Sequence, residues 1–218
     1  MIIAIDGPSA SGKSSVSKAL SMKLGFKFIS SGYLYRIITL IAQRFTLNEY
    51  DLLNESKLVE LISQNDIKYN DNAFLLNGVD VISHILTEKI DFQVSLYSSY
   101  VNIREIVNKK LREIVKIQGD DYIIEGRDIT TVVFPEAKIK IYLDASVEVR
   151  TLRRYNQRDD DMALIELEQA LEKRDAIDQN KEYGKLKLGK EVFYIDTSYK
   201  SLDDVCDIII KTFNLKKK

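Results

Sequence analysis

The run Gly7-Pro8-Ser9-Ala10-Ser11-Gly12-Lys13-Ser14 has the residue types and the spacing of a phosphate cradle, G-x-x-x-x-G-K-S/T. Its glycines allow a backbone path on which successive amide hydrogens point at one anion, and the positive end of a following helix adds to them. Lys13 is placed to reach the β and γ phosphates and Ser14 to face magnesium, with Ser15 as a substitute. The pattern implies a nucleoside triphosphate or another phosphorylated ligand. By itself it does not choose among kinase, GTPase and ATPase.

The remaining cations narrow that choice. Arg36 closes the segment Ser31-Gly32-Tyr33-Leu34-Tyr35-Arg36, Arg127 lies in Gly126-Arg127-Asp128, and Arg150, Arg153 and Arg154 stand at i, i+3 and i+4 on one helical face. That last set reads either as a solvated face paired with Asp159, Asp160 and Asp161 or as a lid that closes over a transferring phosphate. Phosphoryl transfer depends on neutralised charge and in-line positioning more than on covalent chemistry. An acceptor that is already a phosphate needs no base, which suits a chain whose one histidine, His84, reads as a surface or hairpin residue.

These residues must be positioned by alternating strands and helices. Ile2 to Ile5 is a short apolar run ended by Asp6-Gly7-Pro8, as in a strand buried on both faces, and Lys13 to Leu24 carries Val16, Leu20 and Leu24 at helical spacing before Gly25. Further strands are expected at Phe26 to Ile29, Tyr122 to Ile124, Ile139 to Leu143 and Val192 to Ile195. Alternation of this kind means α/β with a central parallel five-stranded sheet flanked by helices. In such a sheet the carboxyl ends of the strands line one crevice, so Arg36 and Arg127 are expected to open onto the site of Lys13. Ile103, Ile106, Val107, Leu111, Ile114 and Val115 trace the core face of a long helix, and Leu202, Val205, Ile209 and Phe213 that of the last one. Between about 66 and 91, Ile67-Lys68-Tyr69 and Phe74-Leu75-Leu76 flank Asn70-Asp71-Asn72 and precede Asn77-Gly78, the signature of an inserted antiparallel hairpin.

Composition removes other classes. With 218 residues, 32 Lys+Arg against 33 Asp+Glu and 45% hydrophobic residues, the chain is globular and carries no basic footprint for nucleic acid or a membrane surface. The single Cys206 excludes an intrachain disulfide and multi-cysteine metal sites, and it reads as a buried small hydrophobe. The opening Met1-Ile2-Ile3-Ala4-Ile5-Asp6 lacks the basic leader of a signal peptide, so a cytoplasmic location is expected. The terminal Lys216-Lys217-Lys218 reads as a frayed, solvated end.

The segment Glu125-Gly126-Arg127-Asp128-Ile129-Thr130-Thr131-Val132-Val133-Phe134-Pro135 resembles the G-R-D-x-G-T-V-V-F-P signature of the bacterial cytidylate (CMP) kinases, of the nucleoside monophosphate kinase group. Ser31-Gly32 through Tyr35-Arg36, Leu76-Asn77-Gly78 with Asp80-Val81, Lys173-Arg174-Asp175 with Asp178, and Ile195-Asp196-Thr197-Ser198 extend the likeness over nearly the whole chain. The resemblance implies a P-loop nucleotide kinase fold in one kinase unit over 1–218. Its core would be about 1–65 and 92–218, with an acceptor-binding insert over about 66–91 and a short lid over about 150–163. It implies a monomer that transfers the γ-phosphoryl group of ATP, carried with Mg2+, to CMP or dCMP. No nucleic acid or membrane partner is expected.

Residue by residue, the resemblance assigns the acceptor phosphate to Arg36, Arg127 and Lys181, and the sugar to Arg174 and Asp178. Ser31 belongs to the acceptor side, and Ser95, Arg104 and Asp128 match the base-reading positions. Cytosine suits them, since its exocyclic amine donates to a carboxylate while its carbonyl and ring nitrogen accept from Arg104 and Ser95. Taken alone, Ser95 and Arg104 read as helix surface. Lys13, Arg127, Arg150, Arg153 and Arg154 are the expected catalytic cations. The chain departs from the family pattern at Lys181, where arginine is usual and a bidentate fork is lost, at Ser30 and Leu86, and at Thr130, which replaces the signature glycine. The sequence leaves open two rivals, a kinase for UMP, AMP, shikimate or dephospho-coenzyme A, and a P-loop binding module without transfer.

Overall fold

A computed structural model describes residues 1–46, 53–70, 73–119, 121–157 and 162–217. Asp71-Asn72 of the hairpin turn, Asp159 to Asp161 and Lys218 lie outside the described residues. The chain divides into two compact units, Met1–Ile29 with Asp120–Lys218, and Ser30–Gly119.

The first unit is built on a central parallel five-stranded sheet, whose strands run in the order 27–30, 122–126, 2–6, 139–144 and 193–196. Its strands are β1 (Ile2–Asp6), β2 (Lys27–Ser30), β6 (Tyr122–Gly126), β7 (Ile139–Asp144) and β8 (Phe193–Asp196). β1 runs parallel to β6 on one side and β7 on the other, with Asp6 level with Gly126 and with Tyr142. Strands in that position are covered on both faces, so each of Ile3, Ala4 and Ile5 is buried. Helix α1 (Lys13–Leu24) spans the residues its spacing predicts and ends at Gly25 in a left-handed cap. Val16, Leu20 and Leu24 of α1 pack with Ile3, Ile5, Ile141 and the last helix, α9 (Leu202–Thr212), into the main core. The free Cys206 is buried there as expected. Leu202 departs from its expected core place: at the first residue of α9 it is 44% exposed, while Val205 and Ile209 further along the helix are buried. Helices α7 (Val147–Tyr155) and α8 (Leu164–Asn180) pack on one another.

The second unit holds α2 (Ser31–Gln43), α3 (Glu55–Ser63), a sheet of β3 (Ile67–Asn70), β4 (Ala73–Leu76) and β5 (Val79–Asp80), then α4 (Ile82–Ile85), α5 (Glu88–Tyr97) and α6 (Val101–Gln118). β3 and β4 are the antiparallel pair read from the sequence, with Ile67 level with Leu76 and Tyr69 with Phe74. Asn77 and Gly78 turn into β5 with φ 53° and 82°, the two left-handed residues of a type I′ hairpin. The insert expected over 66–91 lies inside this unit, which extends further on both sides because α2 packs against α3, α4, α5 and α6. His84 is exposed on α4. Along α6, Ile103, Val107, Leu111 and Ile114 are buried as the stripe predicts. No helix of the described residues is long and apolar enough to cross a membrane.

Candidate active site

In the first unit the cradle joins the end of β1 to the start of α1. Gly7 has φ 152°, and a Cβ there would stand 2.0 Å from the Leu143 carbonyl oxygen of β7, so only glycine lets the loop pass the neighbouring strand. Ala10 sits at φ 58°, a left-handed place that a non-glycine residue takes only when its surroundings impose it. Lys13 is 5% exposed and curls back over the loop, its Nζ donating to Pro8 O at 2.5 Å and Ser11 Oγ at 3.4 Å. Burial, and then Arg127, lower Lys13 to about 7 against the pull of Glu125, Asp175 and Asp6. The lysine is thus held where neighbouring phosphate charge would favour its protonated form.

Ser14 Oγ donates to Glu125 Oε1 at 3.0 Å. A hydroxyl beside a carboxylate is an oxygen donor set of the hard kind that suits Mg2+, which keeps several waters and binds through few protein ligands and phosphates. Ser15 is exposed.

The arginines of α7 are not a solvated row. Arg150 is 5% exposed: its Nε donates to Ala145 O at 3.0 Å, and its Nη1 donates to Ser9 O at 3.2 Å and pairs with Asp175 of α8. Asp175 also accepts from Ser9 N at 3.1 Å, so α7, α8 and the cradle share one knot of charge. The pairing expected with Asp159 to Asp161 lies outside the described residues. Arg153 donates to Thr197 Oγ1 at 2.9 Å and Thr197 O at 2.6 Å, and that hydroxyl lies 3.1 Å from Ser11 O. Arg154 and Arg174 are half-buried.

After β6, Arg127 Nε donates to Asp178 Oδ2 at 2.8 Å and Lys181 Nζ to Asp178 Oδ1 at 2.6 Å. Burial works against the Asp178 charge, yet Arg127, Lys181 and Arg174 outweigh it and hold the carboxyl well below the usual carboxylate range. Burial opposes the Arg127 charge too, and Asp178, Glu125 and Asp175 reverse the effect and raise it. Asp128 is 3% exposed, directly before a π turn over Ile129–Val133.

The second unit carries the other expected residues. Ser31 opens α2 and is buried. Arg36 Nη1 donates to Ile85 O at 2.9 Å and Nη2 pairs with Asp91. Arg104 corrects its surface reading: it is 2% exposed, lies 5.5 Å above the Tyr35 ring and donates to Ser98 O at 2.9 Å. The ring and the carbonyl are what allow a guanidinium to be buried on the apolar side of α6. Ser95 is half-buried on α5.

Four residues had no role from sequence: Asp6, Glu125, Asp175 and Thr197. Glu125 and Asp6 had a signal, since each is a carboxylate at the carboxyl end of a buried strand. Asp175 and Thr197 had none beyond their motifs, because their partners are far along the chain.

A family model described as "Cytidylate kinase" matches residues 3–215. Over 218 residues the chain is 97% identical to a cytidylate kinase of Borrelia duttonii (strain Ly), covering 100% of both chains. It is 82% identical over the same length, again covering both in full, to a cytidylate kinase of Borrelia hermsii (strain HS1 / DAH). Among solved structures, an uncharacterized protein from Eubacterium ventriosum is similar in fold at a TM-score of 0.51 and 14% identity, covering 98% of each chain.

Proposed function

Because this chain belongs to the cytidylate kinase family, we propose that it transfers the γ-phosphoryl group of ATP to CMP or dCMP, giving ADP and CDP or dCDP. A phosphate oxygen of the acceptor attacks the γ phosphorus and the bridging oxygen leaves with ADP. The observation that carries the reading is the family match over 3–215, which takes in both the cradle and the Glu125–Pro135 signature.

In this reading the amides of 7–13 and Lys13 hold the β and γ phosphates, turning Lys13 from Pro8 O to the ligand. Mg2+ bound with ATP would be held by Ser14 and the phosphates, with Glu125 behind the hydroxyl, and would neutralise phosphate charge. Arg150, Arg153 and Arg154 balance the charge that develops on transfer, and Asp175 fixes the Arg150 plane. Arg36, Arg127 and Lys181 bind the acceptor phosphate, Arg174 and Asp178 the sugar. Asp128 accepts from the exocyclic amine of cytosine while Arg104 and Ser95 donate to its carbonyl and ring nitrogen. Uracil places an oxygen opposite Asp128 and loses affinity there. The reading further takes the chain as cytoplasmic and as a monomer, and a light-scattering mass of 25.1 kDa would bear out the monomer.

The test is coupled ADP release with Mg-ATP and, in parallel, CMP, dCMP, UMP, AMP or no acceptor. Fast turnover confined to CMP and dCMP is expected. Preference for another acceptor would overturn the base assignment, and ATP binding without any product would point to a binding module.

A further inference from the structure

Asp6 carries no role in the reading above, yet it is fully buried and accepts three hydrogen bonds from one turn. Its Oδ1 accepts from Ile129 N at 2.8 Å, and its Oδ2 from Thr130 N at 2.7 Å and Thr130 Oγ1 at 2.6 Å. A buried carboxylate is costly unless such donors satisfy it. Burial and the nearby Asp128 charge lift Asp6 to about 6 against the donors on Thr130 and Ile129, and both of its oxygens are taken up as acceptors by those donors.

The bonds fall on either side of a short span. Asp6 is level with Gly126 across the β1–β6 pairing, and Ile129 and Thr130 are tied to the Asp6 side chain. Only Arg127 and Asp128 lie between these two anchors. The anchors are three Cα steps apart, at most about 10 Å, so the bridge between them is short. On the far side the Asp128 carbonyl accepts from Val132 N at 2.8 Å and Val133 N at 3.1 Å, which holds the same residue from behind. The Thr130 hydroxyl is a donor that glycine, usual at this place in the resembled signature, lacks.

We propose that Asp6 and Thr130 form a clamp that positions Asp128 and Arg127, and that the clamp sets how sharply this chain tells CMP from UMP. The inference rests on the base-reading assignment above. Asp6 and Thr130 are positioning residues in it and touch no substrate.

The decisive variant is Thr130→Val, which keeps the shape and the backbone N–H but removes the hydroxyl, measured beside Thr130→Ser, Asp6→Asn and Asp128→Asn. Thr130→Val is expected to lower kcat/KM for CMP by about tenfold, since small misplacements of positioning groups cost rate. It should narrow the CMP-to-UMP ratio and leave KM for ATP unchanged. Thr130→Ser should restore the parent values, and Asp6→Asn should act in the same direction and more strongly; if Asp6→Asn does not fold, Thr130→Val decides. An unchanged ratio in Thr130→Val, or equal rises of KM for CMP and ATP, overturns the clamp. Asp128→Asn separates two failures: a narrowed ratio there with none in Thr130→Val sinks the clamp alone, whereas an unchanged ratio in both sinks the base assignment and the clamp together.

Discussion

In the first unit Arg127 and Lys181 share Asp178, and Arg150 faces Asp175, whereas in the second unit Arg104 lies over the Tyr35 ring and donates to the Ser98 carbonyl. A carboxylate keeps a buried cation charged and holds it until another anion arrives. A phosphate can then share or replace that partner. A ring and a carbonyl instead fix the plane of the guanidinium, which suits reading a base edge more than grasping a phosphate. Arg36 follows the first pattern with Asp91, although it belongs to the second unit. Among these residues the pairing follows the assigned task more than the unit, whereas Lys13 and Arg153 are held by carbonyl and hydroxyl oxygens.

The largest test of this division is Lys13→Ala, which should cut turnover ~100- to 1,000-fold, the usual effect of removing one stabilising donor at the reacting phosphates. Turnover close to the parent in coupled ADP release would remove Lys13 from the reaction. Next is Asp178→Asn, which leaves the half-buried Arg127 and the buried Lys181 without their shared carboxylate and should cost about 3 kcal/mol in urea unfolding. Tyr35→Leu, the matching change beneath Arg104, should take away about 1 kcal/mol of ring–cation attraction and weaken CMP selectivity more than ATP binding. If Asp178→Asn cost less than Tyr35→Leu, the two ways of holding a cation would not differ as argued.

A smaller effect concerns protons. Free Lys13 titrates near 7, and bound phosphate raises a lysine's affinity for protons. ATP binding at a pH above that value should therefore take up protons, and the uptake should fade as pH drops below it and Lys13 is already charged. Calorimetry in buffers of different ionisation enthalpy reads this directly, and uptake that persists unchanged in Lys13→Ala would assign it to another group. The smallest expected change is Lys181→Arg, where the fork gains about one charged hydrogen bond and should lower KM for CMP about fivefold. Equal constants would show that Lys181 already meets the need.

Much of the frame was legible because local rules agree with the fold. Helix α1 was readable from the cradle that opens it, its apolar spacing and Gly25, and the hairpin from its alternation and Asn77-Gly78. Spacing alone reads Arg104 as surface, because it shows which residues share a face and not what that face meets; Tyr35 meets it from α2. Leu202 erred the other way, an apolar residue at a helix end that the core does not reach.

By itself the sequence determined the cradle, its strand–turn–helix setting, the local runs that carry the arginines and the family they resemble, since each rests on neighbours within a few residues. Only the tertiary structure decided the partners: Asp175 for Arg150, 25 residues away, Asp178 for Arg127, 51 away, and Asp6 for Thr130, 124 away. A parallel sheet brings the ends of distant strands together, so the pairs that fix charge and geometry are set by strand order and not by sequence separation.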